Sequence, residues 1–420
     1  MEQSRAPQPR PVSYDVVIVG GGVAAGATAS GLRDAGFTGS VAVFCAEPHV
    51  PYTRPGLTKQ VLRGEKPESA ALFKPAEWYA EHDVDLHLDS AVIDIDLSGA
   101  TVRTGGQTIG YGQLVLATGA EPRQLPLVAD LGVSSHVLRS IDDARRIRPL
   151  LREGVRWLVI GGGFIGAEFA ASARIMGSEV DLVMQEPNVL ERVFGAEAGS
   201  WFEQRLEAQG VRAHAETAVE ALERTDSGIQ VTLANGKRLE VDEVLAGVGV
   251  RPNTGVARQA GLDLDDASGG ILVDQHLRTS NPRVFAVGDV AAYDSKLHGR
   301  RMRIEHWDVA RAHGDYVARQ IAGATSEPYE QLPYFFGTMG TWAFHRYVGV
   351  AMGGGVVRGN LDGETLAIAY LDDDARLVGM LTVDRDEDLD AARELVVAGA
   401  TMDREQIAAD ELPLAECVAS

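Results

Sequence analysis

Two glycine-rich turns constrain this chain more than any other feature, each fed by an apolar run and each opening a helix-forming stretch. The first is VVIVGGGVAAGATA at 16–29, with Gly20, Gly22 and Ala25 at the spaced positions. The second is WLVIGGGFIGAEFAASA at 157–173, with Gly161, Gly163 and Gly166, and with Ile165 before the last glycine. In a strand–turn–helix of this spacing the first glycine permits the turn and the second lets the backbone approach a pyrophosphate. The third, a glycine or alanine, lets the helix close on the strand. The pyrophosphate then rests on N–H groups that the first helical turn leaves unpaired. Two such units predict two dinucleotides on one chain, and FAD with a nicotinamide nucleotide is the economical pair.

At 420 residues the chain exceeds one simple core, so two or three domains are expected. Its apolar fraction of 45% and charged fraction of 24% suit a soluble globular protein. A net charge of −21 disfavours nucleic acid and anionic membranes as partners. The two cysteines, Cys45 and Cys417, form no C-x-x-C pair. That excludes a dithiol relay and a cysteine-held metal. Cys45 reads as a small apolar residue ending a buried strand. Apart from His306, the nine other histidines form no pair at metal-ligand spacing that also carries a carboxylate partner. With no signal peptide or long apolar span, the expectation is a cytoplasmic monomer or homodimer, with residues 1–13 a disordered tail.

SVAVFC at 40–45 supplies a second strand after the first fingerprint helix, about 23–36. A long functional loop follows at 48–75, with a short helix at 57–62. Alternating residues at 91–97 and 100–103, then LVLATGAEPR at 114–123, predict a β-meander. The stretch 141–152 reads as a helix, EVDLVM at 179–184 as a strand, and 197–209 as a helix. Asn235-Gly236 marks a hairpin within 217–245. TSNPRVFAVGDVA at 279–291 reads as a strand and 308–321 as a helix. Beyond 325, aromatic-rich strands, a strand pair at 365–382 and helices at 386–399 and 403–409 predict an α+β domain.

Six motifs in order carry a resemblance: EPHVPYTRPGLTKQVL (47–62), LVLATGAEPR, the second fingerprint ending at Glu168, GVRPNT (249–254), FAVGDVA (285–291) and RIEHWDVARAHG (303–314). Together they resemble the flavoprotein reductases of oxygenase-coupled ferredoxin systems, a group that includes apoptosis-inducing factors. The resemblance implies an α/β fold of two Rossmann-like domains, glutathione-reductase-like, plus a C-terminal α+β domain. It divides the chain into an FAD domain (14–124 and 251–324), an NADH domain (125–250) and a C-terminal domain (325–420). It implies that Asp289 accepts a ribityl hydroxyl of FAD, that Thr118 and Gly119 allow its close approach, and that Arg54 lies in the loop passing the flavin. Lys59 pairs with Glu168 beside the flavin, Trp307 stacks on it, and Gly249 belongs to the cofactor-binding set. His306 stays open between a structural role and a neighbour of the flavin. Glu47, just after the second strand, is assigned to the adenosine ribose of FAD. In the NADH unit the usual acidic slot holds Met184, followed by Gln185 and Glu186. No basic residue lies between 181 and 191, so NADH is expected, with Glu186 discriminating against the 2′-phosphate.

The implied activity is hydride transfer from NADH to FAD, then electron transfer to a [2Fe–2S] ferredoxin. The pattern breaks at 337–339. Ferredoxin-reducing members carry Ser-Asp-Gln or Ser-Asp-Leu there, and this chain has Gly337, Thr338 and Met339. Two alternatives therefore stay open: an NADH-responsive redox flavoprotein like apoptosis-inducing factor, and a flavoenzyme acting directly on an organic substrate. Arg300, Arg301, Arg303 and Arg311 are either a landing patch for an acidic ferredoxin or scattered solvated arginines.

Overall fold

The computed structural model describes residues 12–351 and 354–419. They form two compact units. One comprises the chain up to Thr53, Leu72–Ala120 and Pro252–Glu330; the other comprises Arg54–Ala71, Glu121–Arg251 and the residues from Gln331 onward. The segment carrying Arg54 and Lys59 therefore belongs to the unit that carries the second fingerprint.

In the first unit the strand Val12–Val19 pairs in parallel with Val41–Phe44 on one side and Thr108–Leu116 on the other. Val84–His87 extends the sheet beyond Val41–Phe44, and Val284–Ala286 pairs with the end of Thr108–Leu116. Val16–Val19 and Val41–Phe44 are buried throughout, as an unbroken apolar run in a parallel sheet should be. The helices Val23–Asp34 and Trp307–Ile321 pack on one another. Thr101–Arg103 and Asp94–Asp96 continue antiparallel, giving the expected meander.

Three local expectations need correction. Of the tail expected at 1–13, residues 1–11 lie outside the described residues. Val12 and Ser13 open the first strand, because the long strand Thr108–Leu116 offers them Ile109 and Gly110 as partners. The strand read at 279–291 is cut to Val284–Ala286, since Gly288 turns left-handed at φ +73 and begins a short 3₁₀ turn. The helix read at 141–152 starts at Ile141 under a Ser140–Asp143 capping box and ends at Ile147. A 3₁₀ turn containing Pro149 follows, because proline cannot donate the next helical bond.

The second unit holds a parallel sheet in the order Val211–His214, Glu179–Val183, Arg156–Ile160, Glu243–Ala246, Ser135–His136. The Asn235-Gly236 hairpin forms between Gly228–Leu233 and Arg238–Val241. Its apolar face, Ile229, Val231, Leu233 and Val241, buries against Leu158, Ile160 and Val183 of the parallel sheet. From Tyr334 a five-stranded antiparallel sheet follows, with the helix Asp386–Ala398 against it. Buried Arg358 bonds Asp388 at 2.9 Å, and Arg385 bonds Asp410 at 2.7 and 2.8 Å, tying the C-terminal segment down.

Candidate functional site

Both fingerprint turns are built so that only glycine fits their first position. Gly20 has φ +143 and Gly161 φ +109; a Cβ would stand 2.1 Å from the Ala117 carbonyl oxygen at the one and 2.5 Å from the Gly247 carbonyl oxygen at the other. A Cβ on Gly166 would stand 2.0 Å from the Gly161 carbonyl oxygen, so the helix Phe164–Ile175 can close on its turn only without one. Ala25 holds the corresponding position in the first unit, where the turn tolerates its methyl group, and is fully buried. Ile165 is half-buried in the first turn of the second helix.

Gly22 and Gly163 are the N-caps of these helices, and neither has a side-chain cap. A Cβ on either would meet nothing within 4 Å. Side chains cap the helices that begin after Ser140, His306 and Asp403. Those that begin at Ala76, Glu191, Ala196, Gly255 and Asp386 also start without a side-chain cap, so it is the glycine turn before it that sets each fingerprint helix apart. The two bare N-termini fit a dinucleotide pyrophosphate, which supplies the acceptors that a capping side chain would otherwise supply.

In the first unit, Glu47 follows the strand Val41–Phe44 and accepts the Tyr52 hydroxyl at 2.6 Å. Thr118 spends its hydroxyl on the Asn253 carbonyl at 2.8 Å, and Asn253 returns a bond to the Thr118 carbonyl at 3.0 Å. That side chain fastens the GVRPNT segment, while Gly119 turns left-handed beside it. Asp289 sits half-buried in the 3₁₀ turn, its carbonyl taking Arg303 Nη1 at 3.0 Å. Trp307 is the first residue of its helix and is half-buried, with the Arg311 guanidinium 6.0 Å from its ring centre. His306 caps that helix by accepting the Asp308 N–H at 3.2 Å, which gives it a structural role.

In the second unit, Lys59 Nζ meets Glu168 Oε1 at 2.5 Å, with the two residues 6% and 7% exposed. Thr58 donates its hydroxyl to Glu168 Oε2, also at 2.5 Å. Ser172, one helical turn on, donates to the Thr58 carbonyl at 2.7 Å and takes Arg63 Nη1 at 3.0 Å. The loop carrying Lys59 is thereby clamped to the fingerprint helix. Arg54 donates to the Arg139 carbonyl at 2.6 Å. Gly249 is left-handed at φ +93, and its carbonyl takes the Arg123 N–H at 2.9 Å. Glu186 forms an ion pair with Arg192.

Four residues that the sequence reading did not single out take part. Thr58 completes the Glu168 cage. Arg192 follows directly on the stretch 181–191, which carries no Lys or Arg. Its approach to Glu186 is set by the turn into the helix Glu191–Phe194. His313 is 1% exposed and accepts the Gly288 N–H on Nδ1 at 3.2 Å. His345 is equally buried, and a Cβ on Gly337 would stand 2.5 Å from its Nε2. Burial lowers both imidazoles from 6.5 to about 3, helped at His345 by the Lys59 charge. His313 lies within the RIEHWDVARAHG motif, but the burial and partners of both histidines come from segments distant along the chain and are not written in adjacent residues.

The arginine cluster is largely neutralised. Arg301 pairs with Asp294, Arg303 with Glu305, and Arg311 with Asp308. Burial pushes the Cys45 thiol up to about 12, as fits an inert core residue. Among the described residues no cluster of three metal-ligating side chains occurs, and no helix is long and apolar enough to cross a membrane.

The chain belongs to the pyridine nucleotide-disulphide oxidoreductases: the model of that family matches residues 14–314, and a reductase C-terminal model matches residues 346–418. Among its relatives is the anthranilate 1,2-dioxygenase system ferredoxin–NAD(+) reductase component of Burkholderia cepacia. It is 34% identical over 400 residues, covering 93% of this chain and 96% of the relative. Monodehydroascorbate reductase 5 of Oryza sativa subsp. japonica is 30% identical, covering 87% and 79%. The covalent putidaredoxin reductase–putidaredoxin complex superposes with a TM-score of 0.90 at 30% identity, covering 96% of this chain and 97% of that one.

Proposed function

We propose that the chain is an FAD-dependent NADH oxidoreductase of the cytoplasm that delivers electrons one at a time to a [2Fe–2S] ferredoxin serving an oxygenase. The observation that carries this reading is the pair of glycine turns opening uncapped helices on one chain. Similarity to ferredoxin reductases along nearly the whole length supports it. In this reading residues 14–124 and 251–324 form the FAD domain, 125–250 the NADH domain and 325–420 the C-terminal domain. Bound FAD supplies the conversion of a hydride donor into single-electron deliveries.

The chain's own residues bind and tune. Gly20, Gly22 and Ala25 admit the FAD pyrophosphate, and Gly161, Gly163, Ile165 and Gly166 that of NADH. Glu47 takes the adenosine ribose of FAD and Asp289 a ribityl hydroxyl, a strong acceptor for a buried donor. Thr118, Gly119 and Gly249 shape the backbone close to the cofactors, and Arg54 holds the loop before Lys59. Trp307 offers its indole face to the flavin ring and excludes water. Lys59, ion-paired with Glu168, offers positive charge where negative charge accumulates on reduction. Glu186 reads the NADH ribose and occupies Arg192, a cation that would otherwise welcome a 2′-phosphate.

Anaerobic stopped-flow mixing of the yellow holoprotein with NADH, then with a [2Fe–2S] ferredoxin, tests this. Rapid bleaching of the yellow flavin colour and rapid reoxidation by ferredoxin are expected; bleaching without transfer to ferredoxin refutes the partner. A second reading, transfer to a small organic acceptor, is favoured by Gly337-Thr338-Met339 and by the similarity to monodehydroascorbate reductase. It predicts reoxidation by an organic radical or quinone faster than by ferredoxin.

A further inference from the structure

His345 stands beside the Lys59–Glu168 pair in a setting that assigns its proton. Its ring lies against Phe164 at 6.1 Å, Phe194 at 6.2 Å and Phe202 at 5.4 Å between centres. Its Nδ1 is buried and finds no hydrogen-bond partner among the described residues. An unpaired N–H buried among aromatic rings costs more than an unpaired lone pair. The proton therefore sits on Nε2.

That nitrogen lies near the ion pair without a direct hydrogen bond to Glu168. The point where a Cβ of Gly337 would sit lies 2.5 Å from Nε2 and 3.5 Å from Glu168 Oε1. A side chain at 337 would clash with the imidazole and touch the carboxylate. Glu168 already accepts from Lys59 and Thr58, and a carboxylate has lone pairs for more. Burial and the Lys59 charge keep the imidazole neutral, so it brings a donor without a second cation.

We propose that His345 is a positioning residue for the Lys59–Glu168 pair: its Nε2–H dipole orients the carboxylate that holds Lys59, and Gly337 is the residue that makes room for it. The proposal rests on the reading that Lys59 and Glu168 serve the redox chemistry. In a low-dielectric pocket such a dipole acts strongly on a neighbouring charge.

The test uses the FAD-loaded protein with His345→Gln, which keeps a donor at the ε position, and His345→Leu, which keeps volume and loses the donor. Two readouts run side by side: acetylation of Lys59 by acetic anhydride, measured by mass spectrometry, and the rate of flavin reduction by NADH. A rise of about tenfold in Lys59 labelling is expected for the leucine variant, near wild-type labelling for the glutamine variant, and reduction rates that follow the same order. Gly337→Ser, which retains His345 and pushes it aside, should raise labelling too; it serves where a His345 variant fails to fold. Equal labelling in the Leu and Gln variants overturns the proposal and leaves His345 a packing residue. Labelling that follows the expected order while reduction rates stay unchanged upholds the positioning and removes Lys59 and Glu168 from the redox step.

Discussion

Replacing His313 should weaken FAD binding while leaving the NADH-binding half of the chain intact. His313 lies on the helix Trp307–Ile321 and reaches back 25 positions to accept the Gly288 N–H on Nδ1 at 3.2 Å. Because Nδ1 accepts, the proton is on Nε2, where the ring stands perpendicular to Tyr293 and Tyr329 at 5.0 and 4.7 Å. Gly288 is left-handed and buried, and a Cβ on it would already press on Ala24 and Ala310 at 3.2 Å. The turn that presents Asp289 is thus fixed from both flanking helices and from His313. In His313→Ala the Gly288 N–H is buried without an acceptor, at a cost of about 1–3 kcal/mol. If that cost is relieved by movement of the turn, it reappears as a 5- to 150-fold rise in the Kd for FAD, roughly. His313→Asn keeps an oxygen acceptor at the δ position and should recover most of the affinity. FAD titration by quenching of flavin fluorescence measures both variants, and NADH-analogue binding serves as the control. An unchanged Kd for His313→Ala, or an asparagine variant as weak as the alanine one, would refute the reasoning.

Three further outcomes follow from the same geometry. His313 and His345 are held neutral with pKa values of about 3 against 6.5 unfolded, so unfolding takes up protons as pH falls. Their stabilising contribution is complete above pH 6.5 and declines below it by about 1–2 kcal/mol per pH unit for each histidine. Urea unfolding at pH 7 and pH 5 should show this, and His313→Asn should remove its share of the slope. Glu168→Leu leaves Lys59 buried without its counter-ion and should cost about 3–5 kcal/mol, whereas Lys59→Met with Glu168→Leu should recover most of that. A loss below 1 kcal/mol in the single variant, roughly the value of an exposed pair, would place Lys59 in solvent. Glu186→Gln releases Arg192 and should raise kcat/KM for NADPH relative to NADH; an unchanged ratio sinks the role given to the pair.

The departure at 337–339 acquires a physical meaning from the antiparallel pairing of Tyr334–Met339 with Ala343–Gly349. Gly337 lies opposite His345 in that ladder. The missing side chain on one strand is the space used by the ring on the next. The same pairing leaves Phe336 and Phe344 partly exposed beside each other, at 38% and 39%. Three of the four arginines read as either a landing patch or scattered charges, Arg301, Arg303 and Arg311, bond neighbouring carboxylates, which reduces the net positive charge at that place.

The two fingerprints, their strands and helices, the Asn235-Gly236 hairpin and the C-terminal α+β pattern were legible in the residues alone. Their causes are local: glycine at a required φ, periodic burial, and turn chemistry written into adjacent positions. The Lys59–Glu168 pairing could be anticipated through family resemblance, but its burial and the Thr58 contact could not. Those depend on how the loop of residues 54–71 lies on the helix Phe164–Ile175, more than a hundred positions away. His313, His345 and Arg192 were invisible for the same reason. A lone histidine or arginine gains a role only from what the fold places against it, and here strand order and helix packing decide that. The sequence determined the kind of fold and the places where phosphates can rest; the tertiary structure decided which charges are buried, which are paired, and which neutral side chains hold them.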